Sequence, residues 1–222
     1  MPGFTPLGEN MLLVFWQPVI DPLINVRVHA LANQILSEPF PGYVECVPAY
    51  ASLAVVFDPL RISIQAVQDR LMQFLAQSTE ANSDVPHTVR VPVCYDGADM
   101  DVVATSHRLT SDDVISIHSG KAYSVYMMGF LPGFAYLGSV DHRIATPRPQ
   151  RPRTCVPAGS VGIAGEQTGV YPVQSPGGWQ LIGRTPVKFF RPESNDPFLV
   201  KPGDRVEFFP ITEREFNHWN DR

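Results

Sequence analysis

In the first part of the chain, short continuous runs of apolar residues alternate with stretches in which apolar residues recur at helical spacing. The run Met11–Trp16 is continuous and predicts a buried strand. Apolar residues then recur at positions 24, 28, 31 and 35, which places them on one face of a helix that ends before Pro39 and Pro41. One strand is therefore followed by one helix.

The next apolar segments predict a hairpin and a second helix. Tyr43–Pro48 and Ser52–Phe57 are rich in β-branched and aromatic residues, which is typical of paired strands. Ser63 is placed to cap a helix whose apolar face carries positions 64, 67, 71, 74 and 75. With Val89–Val93 as a closing strand, this order indicates a ferredoxin-like α+β domain.

A polar, turn-prone segment, Ser78–Asp84, marks the predicted domain boundary. We therefore expect one domain at residues 1–84 and a second at residues 85–222. In the second domain, Thr110 and Asp113 form a capping-box pattern, which predicts a helix that ends near position 120.

Glycine becomes frequent after this helix. Eleven of the 16 glycines lie between positions 129 and 203, among prolines and short β-prone pieces. This composition favours a mainly-β barrel of short strands and tight loops, with Arg205–Phe209 as its last strand.

Charge and composition narrow the functional classes. The net charge of −5 and the expectation that no cluster of Lys and Arg is present argue against nucleic acid or an acidic membrane as a partner. No apolar stretch is as long as a membrane span, and the first residues lack a secretory signal, so a cytoplasmic location is expected. Three scattered cysteines and six scattered histidines predict reduced thiols and no metal site.

Two segments combine glycine with proline and aromatic residues, and we call them the first and second loop segments. The first is Gly129–Gly138, and the second runs from Val156 to Pro186. Glycine lets a backbone approach a ligand closely, and aromatic neighbours supply flat walls, so these segments predict a binding site. The alternative is that each glycine only serves a turn or bulge of the barrel. Neither a Walker loop nor a Gly-x-Ser-x-Gly motif is present.

The polar residues in and beside these segments are candidates for ligand contact. Gln167, Thr168 and Tyr171 offer neutral hydrogen bonds of the kind that an amide or lactam needs. Arg153 and Arg184 could hold a carboxylate or phosphate, or could pair with acidic residues on the barrel surface.

Two further residues have two interpretations each. His118, at the end of the capped helix, could carry a proton near neutral pH, or could stabilise the helix C-terminus. Trp179 could stack on a ligand, or could belong to the core or an interface.

The loop segments resemble those of a known family. The motifs are Gly-Phe-Leu-Pro-Gly-Phe-Ala-Tyr-Leu-Gly at 129–138, Val-Pro-Ala-Gly-Ser-Val-Gly-Ile-Ala-Gly at 156–165, and Pro-Gly-Gly-Trp-Gln-Leu-Ile-Gly-Arg-Thr-Pro at 176–186. They are similar to those of the family that contains the B subunits of bacterial 5-oxoprolinases, the Kip-type inhibitor of a sporulation histidine kinase, and the first subunit of allophanate hydrolase. The resemblance extends over nearly the whole chain. It departs at 96–101, where the usual turn looks shorter and Met100 replaces a proline, and at Cys155.

The resemblance implies a small N-terminal α/β domain and a C-terminal cyclophilin-like barrel. It also implies two partners: a larger, C-type subunit of related cyclophilin-like fold, and a third, A-type subunit of the 5-oxoprolinase. ATP, together with Mg at a shared site, is the implied cofactor, and this chain carries no biotin-attachment motif.

The predicted site follows from the chemistry of the residues that occupy these motif positions. The predicted catalytic residues are His118, Gln167 and Tyr171. The predicted cofactor contacts are Arg153, Gly159, Ser160, Gly162, Thr168, Gly177, Gly178 and Arg184. The predicted substrate contacts are Phe130, Gly133, Phe134, Tyr136, Pro157 and Trp179.

The leading hypothesis is that the chain forms part of an ATP-dependent 5-oxoprolinase, is inactive alone, and helps to open 5-oxo-L-proline to L-glutamate. Phosphorylation of the lactam oxygen would turn a resonance-stabilised amide into an electrophile that water attacks. Two alternatives stay open: a non-catalytic inhibitor of a sensor histidine kinase, and a component of a urea or allophanate pathway related to the carboxyltransferase domain of urea carboxylase.

Overall fold

The computed structural model describes residues 2–77 and 87–220 and shows a mixed α/β protein. The chain divides into two compact units, Met1–Val85 and Pro86–Arg222. The predicted boundary segment, Ser78–Asp84, lies outside the described residues.

The first unit is a four-stranded antiparallel sheet with two helices. Its elements are β1 (Gly3–Pro6), β2 (Met11–Phe15), α1 (Pro22–Ser37), β3 (Tyr43–Pro48), β4 (Ser52–Phe57) and α2 (Ile64–Gln77). The strands lie in the order β1-β2-β4-β3. The strands and helices predicted from residues 11 to 77 are confirmed, and β1 is an additional element.

Local sequence explains where the two helices begin. The carboxylate of Asp21 accepts a hydrogen bond from Leu23 N at 2.7 Å, and proline follows at the first helical position. Ser63 Oγ accepts from Ala66 N at 3.3 Å, as its predicted capping role requires. The apolar faces of both helices, including the fully buried Val28 and Val67, pack into one core with β2 and β4.

The prediction that Val89–Val93 closes this sheet was wrong. It forms β5 (Thr88–Val93) in the second unit, where it pairs in parallel with β13 (Arg205–Pro210) over its whole length. The sheet edge beside β2 is occupied by the N-terminal β1 instead. β1 has four residues, including a glycine and a proline, so its apolar pattern is too short to predict a strand. The ferredoxin-like class stays a prediction.

The second unit contains a seven-stranded, barrel-like sheet. Its further elements are α3 (Met100–Ser106), α4 (Ser111–Ser119), β6 (Ala122–Met128), β7 (Ala135–Gly138), β8 (Arg153–Val156), β9 (Ser160–Ala164), β10 (Gln167–Val170), β11 (Ser175–Gly177), β12 (Gln180–Arg184) and α5 (Glu213–Asn217). The large sheet has the order β12-β9-β10-β7-β6-β13-β5, and β8 pairs with β11 separately. Valine, isoleucine and aromatic side chains fill its interior.

The two edges of the large sheet meet along what we call the closing seam, residues 94–99 against 181–184. Cys94 and Arg184 exchange two backbone hydrogen bonds, of 2.9 and 2.8 Å. Gly97 N donates to Ile182 O at 3.2 Å, and Asp99 N donates to Leu181 O at 2.8 Å. The segment in which the sequence departs from the family pattern is therefore the segment that nearly closes the barrel.

The helices of this unit were predicted in part. The capping box of α4 is confirmed, because Thr110 Oγ1 accepts from Asp113 N at 3.1 Å and Asp113 Oδ2 accepts from Thr110 N at 2.9 Å. Two short helices, α3 and α5, were missed. The signal for α5 was present, since Thr212 and Glu215 form a second capping box.

Candidate functional site

The second unit contains a cavity of about 250 Å³, which we call the aromatic cavity. Both loop segments contribute to its walls, together with the stretch between β7 and β8. It is lined by Phe130, Phe134, Tyr136, Arg148, Pro152, Tyr171, Pro176, Gly177, Gly178 and Trp179. The sequence-based expectation that the two loop segments meet at one site therefore agrees with the geometry.

Four aromatic side chains make the cavity wall rigid. Phe134 is buried at the centre, and its ring centroid lies 4.9 Å from that of Tyr136 and 5.3 Å from those of Tyr171 and Trp179. All three contacts are edge-to-face, the geometry that the ring quadrupoles favour. Trp179 is thus both a core residue and a wall of the cavity.

Gly177 allows the phenol of Tyr171 to lie against the backbone. A Cβ at this position would overlap the Tyr171 ring, so no other residue fits without moving that ring. The backbone of Trp179 lies close enough to the Tyr171 oxygen to act on the pKa of this phenol, which it lowers. Burial raises the pKa of Tyr171, so the phenol keeps its proton at neutral pH and acts as a neutral hydrogen-bonding group.

Among the described residues that line the aromatic cavity, Arg148 is the one with a positive charge. Within residues 2–77 and 87–220, no carboxylate lies at ion-pair distance from its guanidinium. Burial raises the pKa of Tyr136 and Tyr171, and the charge of Arg148 acts on both in the opposite direction. Sequence reasoning missed Arg148. The sequence feature that could have identified it is the segment 147–153, Pro-Arg-Pro-Gln-Arg-Pro-Arg. Three of its residues are arginines, and they lie at or just before the start of β8.

Phe130 stands at the edge of the cavity with a strained backbone. Its φ angle is 67°, in the left-handed region that non-glycine residues avoid, and 62% of the residue is exposed. Its ring contacts Phe134 at 5.6 Å. A large aromatic ring held in an unfavourable conformation and left in solvent is typical of a contact residue.

The two arginines predicted to bind phosphate are already paired. Arg153 binds Asp99 at 2.5 Å, and Arg184 binds Asp96 at 2.7 Å while stacking on Phe216 at 4.2 Å. The pair of Arg184 links the two sides of the closing seam, and the pair of Arg153 joins β8 to the buried Asp99 of the seam. Pairing with acidic residues, the alternative for both arginines, is thus present, and their role in phosphate binding stays a prediction.

His118 lies in the barrel interior and not at the cavity. Its Nε2 is 2.9 Å from Thr168 Oγ1 and its Nδ1 is 2.8 Å from Tyr95 Oη. Because Thr168 Oγ1 donates to Gly162 O, it accepts from His118, which places the histidine proton on Nε2. Full burial lowers the pKa of His118 to about 3. This favours a structural role for His118 and Thr168 over the predicted catalytic and cofactor-binding roles.

The burial of His118 predicts a pH-dependent stability. The unfolded chain takes up a proton on this residue below about pH 6.5, whereas the folded chain does so only near pH 3. Stability should therefore fall as the pH drops through this window, by about 2 kcal/mol at pH 5 from this residue. Urea unfolding at pH 7 and pH 5 measures the loss. The variant His118→Gln keeps hydrogen-bonding groups but cannot titrate, so its loss should be smaller by that amount; equal losses would contradict the assignment.

The other predicted site residues divide into two groups. Phe130, Phe134, Tyr136, Tyr171, Gly177, Gly178 and Trp179 all line the aromatic cavity. Outside it lie Gly133, Pro157, Gly159, Ser160, Gly162 and Gln167. Gly159 has a φ of 82° and contacts the backbone of Thr185, so it serves a turn of the barrel, as the alternative interpretation of the glycines holds.

The residues predicted to contact ATP are dispersed in the described part of the chain. The predicted ATP contacts do not converge on one cavity, and the two arginines among them are neutralised by aspartates. The aromatic cavity is below the ~300–1,000 Å³ of sites for drug-sized ligands. Within residues 2–77 and 87–220, no group of three histidine, cysteine or acidic residues is placed to hold a metal ion.

A second, more open groove lies in the first unit. Its volume is about 410 Å³, and it runs past Pro39 and Pro41 to the exposed face of α2. Its charged residues are partly paired, since Arg70 binds Glu38 at 2.8 Å. It contains few groups that converge on a ligand, so the aromatic cavity is the better candidate site.

No helix in the described part of the chain is long and apolar enough to cross a membrane.

Sequence comparison defines the class of protein. The family model for the carboxyltransferase domain, subdomain C and D, matches residues 2–200, so the chain belongs to this family. The resemblance seen in the loop segments is thereby confirmed.

Individual relatives are similar over nearly their whole length. The 5-oxoprolinase B subunit of Bacillus subtilis is 42% identical over an alignment of 232 positions, which covers 97% of this chain and 95% of that protein. The 5-oxoprolinase B subunit of Escherichia coli O157:H7 is 39% identical, with 93% and 95% covered. Among solved structures, the conserved protein PH0987 from Pyrococcus horikoshii is 48% identical, with 96% and 99% covered and a TM-score of 0.57.

Proposed function

We propose that this protein is one of the subunits of an ATP-dependent 5-oxoprolinase. The observation that carries the proposal is the 42% identity to a 5-oxoprolinase B subunit over nearly all of both chains. The reaction would open the lactam ring of 5-oxo-L-proline to give L-glutamate, with ATP as the source of driving force.

The aromatic cavity supports this proposal as the place where the lactam binds. Its flat walls suit a small five-membered ring, and the neutral phenol of Tyr171 can donate a hydrogen bond to a lactam oxygen. Small substrates need a small cavity, and about 250 Å³ meets that requirement.

The same cavity argues that the chain works with partners. Its ten lining residues include no carboxylate, histidine or cysteine, so the cavity lining supplies no general acid or base with a pKa near neutral pH. We propose that a larger partner protein of related barrel fold contributes these groups and most of the nucleotide site, including its Mg. A third component would complete the hydrolysis. The exposed ring of Phe130 would lie at the contact with the larger partner.

The test is the activity of the assembled complex. The chain, co-expressed with the C-type and A-type subunits of a 5-oxoprolinase, should purify as a complex with them, and the complex should hydrolyse ATP only when 5-oxo-L-proline is added. The chain alone should show no hydrolysis above background, because its cavity lacks the acid–base groups. Urea and allophanate serve as control substrates. An ATPase that these two stimulate, and 5-oxo-L-proline does not, would overturn the proposal.

A further inference from the structure

We propose that Arg148 binds the carboxylate of the substrate and thereby restricts the aromatic cavity to small ring compounds that carry a carboxylate. This inference rests on the proposed function and deepens it, since it names the group that selects the substrate class. The ring would lie between the aromatic walls, and the carboxylate would face the guanidinium at the cavity edge.

Arg148 lines the cavity with no acidic partner among the described residues, whereas two nearby arginines are paired with aspartates. Arg143 is neutralised by Asp141 at 2.9 Å, and Arg153 by Asp99 at 2.5 Å. In the described part of the chain, no acidic side chain pairs with Arg148. A free guanidinium beside a cavity, in a chain with a net charge of −5, attracts an anion to that place.

The shape of the cavity decides which anion fits. A guanidinium presents two parallel N–H donors that match the two oxygens of a carboxylate. The aromatic walls of Phe134, Tyr136 and Trp179 leave about 250 Å³, which suits a single small ring. A nucleotide, with its base, sugar and phosphates, exceeds this space. The geometry therefore favours a ring carboxylate over a phosphate ligand.

The kinetic test uses the assembled complex and compares two arginines in one segment. Arg148→Gln should raise the KM for 5-oxo-L-proline about 10- to 100-fold, the loss expected for a hydrogen-bonded charge pair. The KM for ATP should stay within about twofold. Arg148→Lys should recover part of the loss, because it restores the charge without the paired donors. The matched control is Arg151→Gln, which removes the same charge three residues away from an exposed side chain outside the cavity.

Two results would overturn the role of Arg148. One is an unchanged KM for 5-oxo-L-proline in Arg148→Gln; the other is a raised KM for ATP, which would assign the residue to the nucleotide. Near-UV circular dichroism of each variant shows whether the fold is retained. If the wild-type complex shows no ATPase that depends on 5-oxo-L-proline, the proposed function fails, and the kinetic comparison no longer applies.

A binding experiment on the full chain distinguishes a failure of the role of Arg148 from a failure of the proposed function. The indole N–H signal of Trp179 is followed by NMR during titration with 5-oxo-L-proline, with the neutral lactam 2-pyrrolidinone, and with ATP. Only the carboxylate compound should shift the signal, and Arg148→Gln should abolish that shift while Arg151→Gln retains it. Equal shifts with the neutral lactam, shifts with ATP, or no shift with any compound would overturn the inference.

Discussion

Gly97→Ala is expected to lower the free energy of unfolding of the second unit by about 3 kcal/mol or more, the range of a severe steric clash. A Cβ on residue 97 would overlap the backbone of residues 181–183, including Leu181 O and Gly183 N. Backbone atoms paired in a strand cannot move aside as the end of a side chain can. The closing seam would have to separate, with loss of the Gly97–Ile182 hydrogen bond.

Urea unfolding followed by tryptophan fluorescence measures this loss. Gly129→Ala is the matched control, because its Cβ would meet only the flexible end of Met127 at 3.6 Å. That control should change stability by less than about 1 kcal/mol. If both glycine variants unfold at the same urea concentration as the wild type, the seam does not have the geometry described above.

Asp99→Ala should have an effect of similar size, about 3 kcal/mol, for an electrostatic reason. The Asp99 carboxylate is buried and accepts hydrogen bonds from Arg153 at 2.5 Å and from Leu181 N at 2.6 Å. Removing it leaves the half-buried guanidinium of Arg153 without a counter-charge, with only its hydrogen bond to Trp179 O, and leaves the buried N–H of Leu181 without this acceptor; both losses are costly.

Two further variants identify the cause of that loss. Asp96→Ala breaks the more exposed pair with Arg184, in the same seam, and should cost less than about 1 kcal/mol. The double variant Asp99→Ala with Arg153→Met removes the isolated charge and should be more stable than Asp99→Ala alone. Equal losses for Asp96→Ala and Asp99→Ala in urea unfolding would show that burial does not determine the contribution of these pairs.

Much of the fold was predictable because its signals are local. Hydrophobic spacing and a serine cap are enough to predict α2, and a capping box is enough for α4. The assignment of Val89–Val93 to the first unit failed for a different reason. Its apolar pattern predicts a strand but does not specify a partner, and the partner, β13, lies at the far end of the second unit.

The site was predictable in its walls and not in its charges. Aromatic residues next to glycines predicted Phe134, Tyr136 and Trp179 as contacts, and these line the candidate cavity, as does Tyr171, which was predicted for its hydrogen-bonding group. Whether an arginine is free or paired depends on residues that are distant in sequence, such as Asp99 for Arg153. Sequence reasoning therefore selected two paired arginines and overlooked Arg148, for which residues 2–77 and 87–220 supply no acidic partner.

The parallel pairing of β5 with β13 affects how the second unit forms during synthesis. β5 is the first strand of this unit to leave the ribosome, and β13 is the last. Until residues 205–210 emerge, β5 and β6 lack the neighbour that lies between them, and their backbone groups on that side stay unpaired. Late pairing of this kind slows folding and leaves the nascent chain open to aggregation, so the cell must protect this barrel for nearly the whole time of its translation.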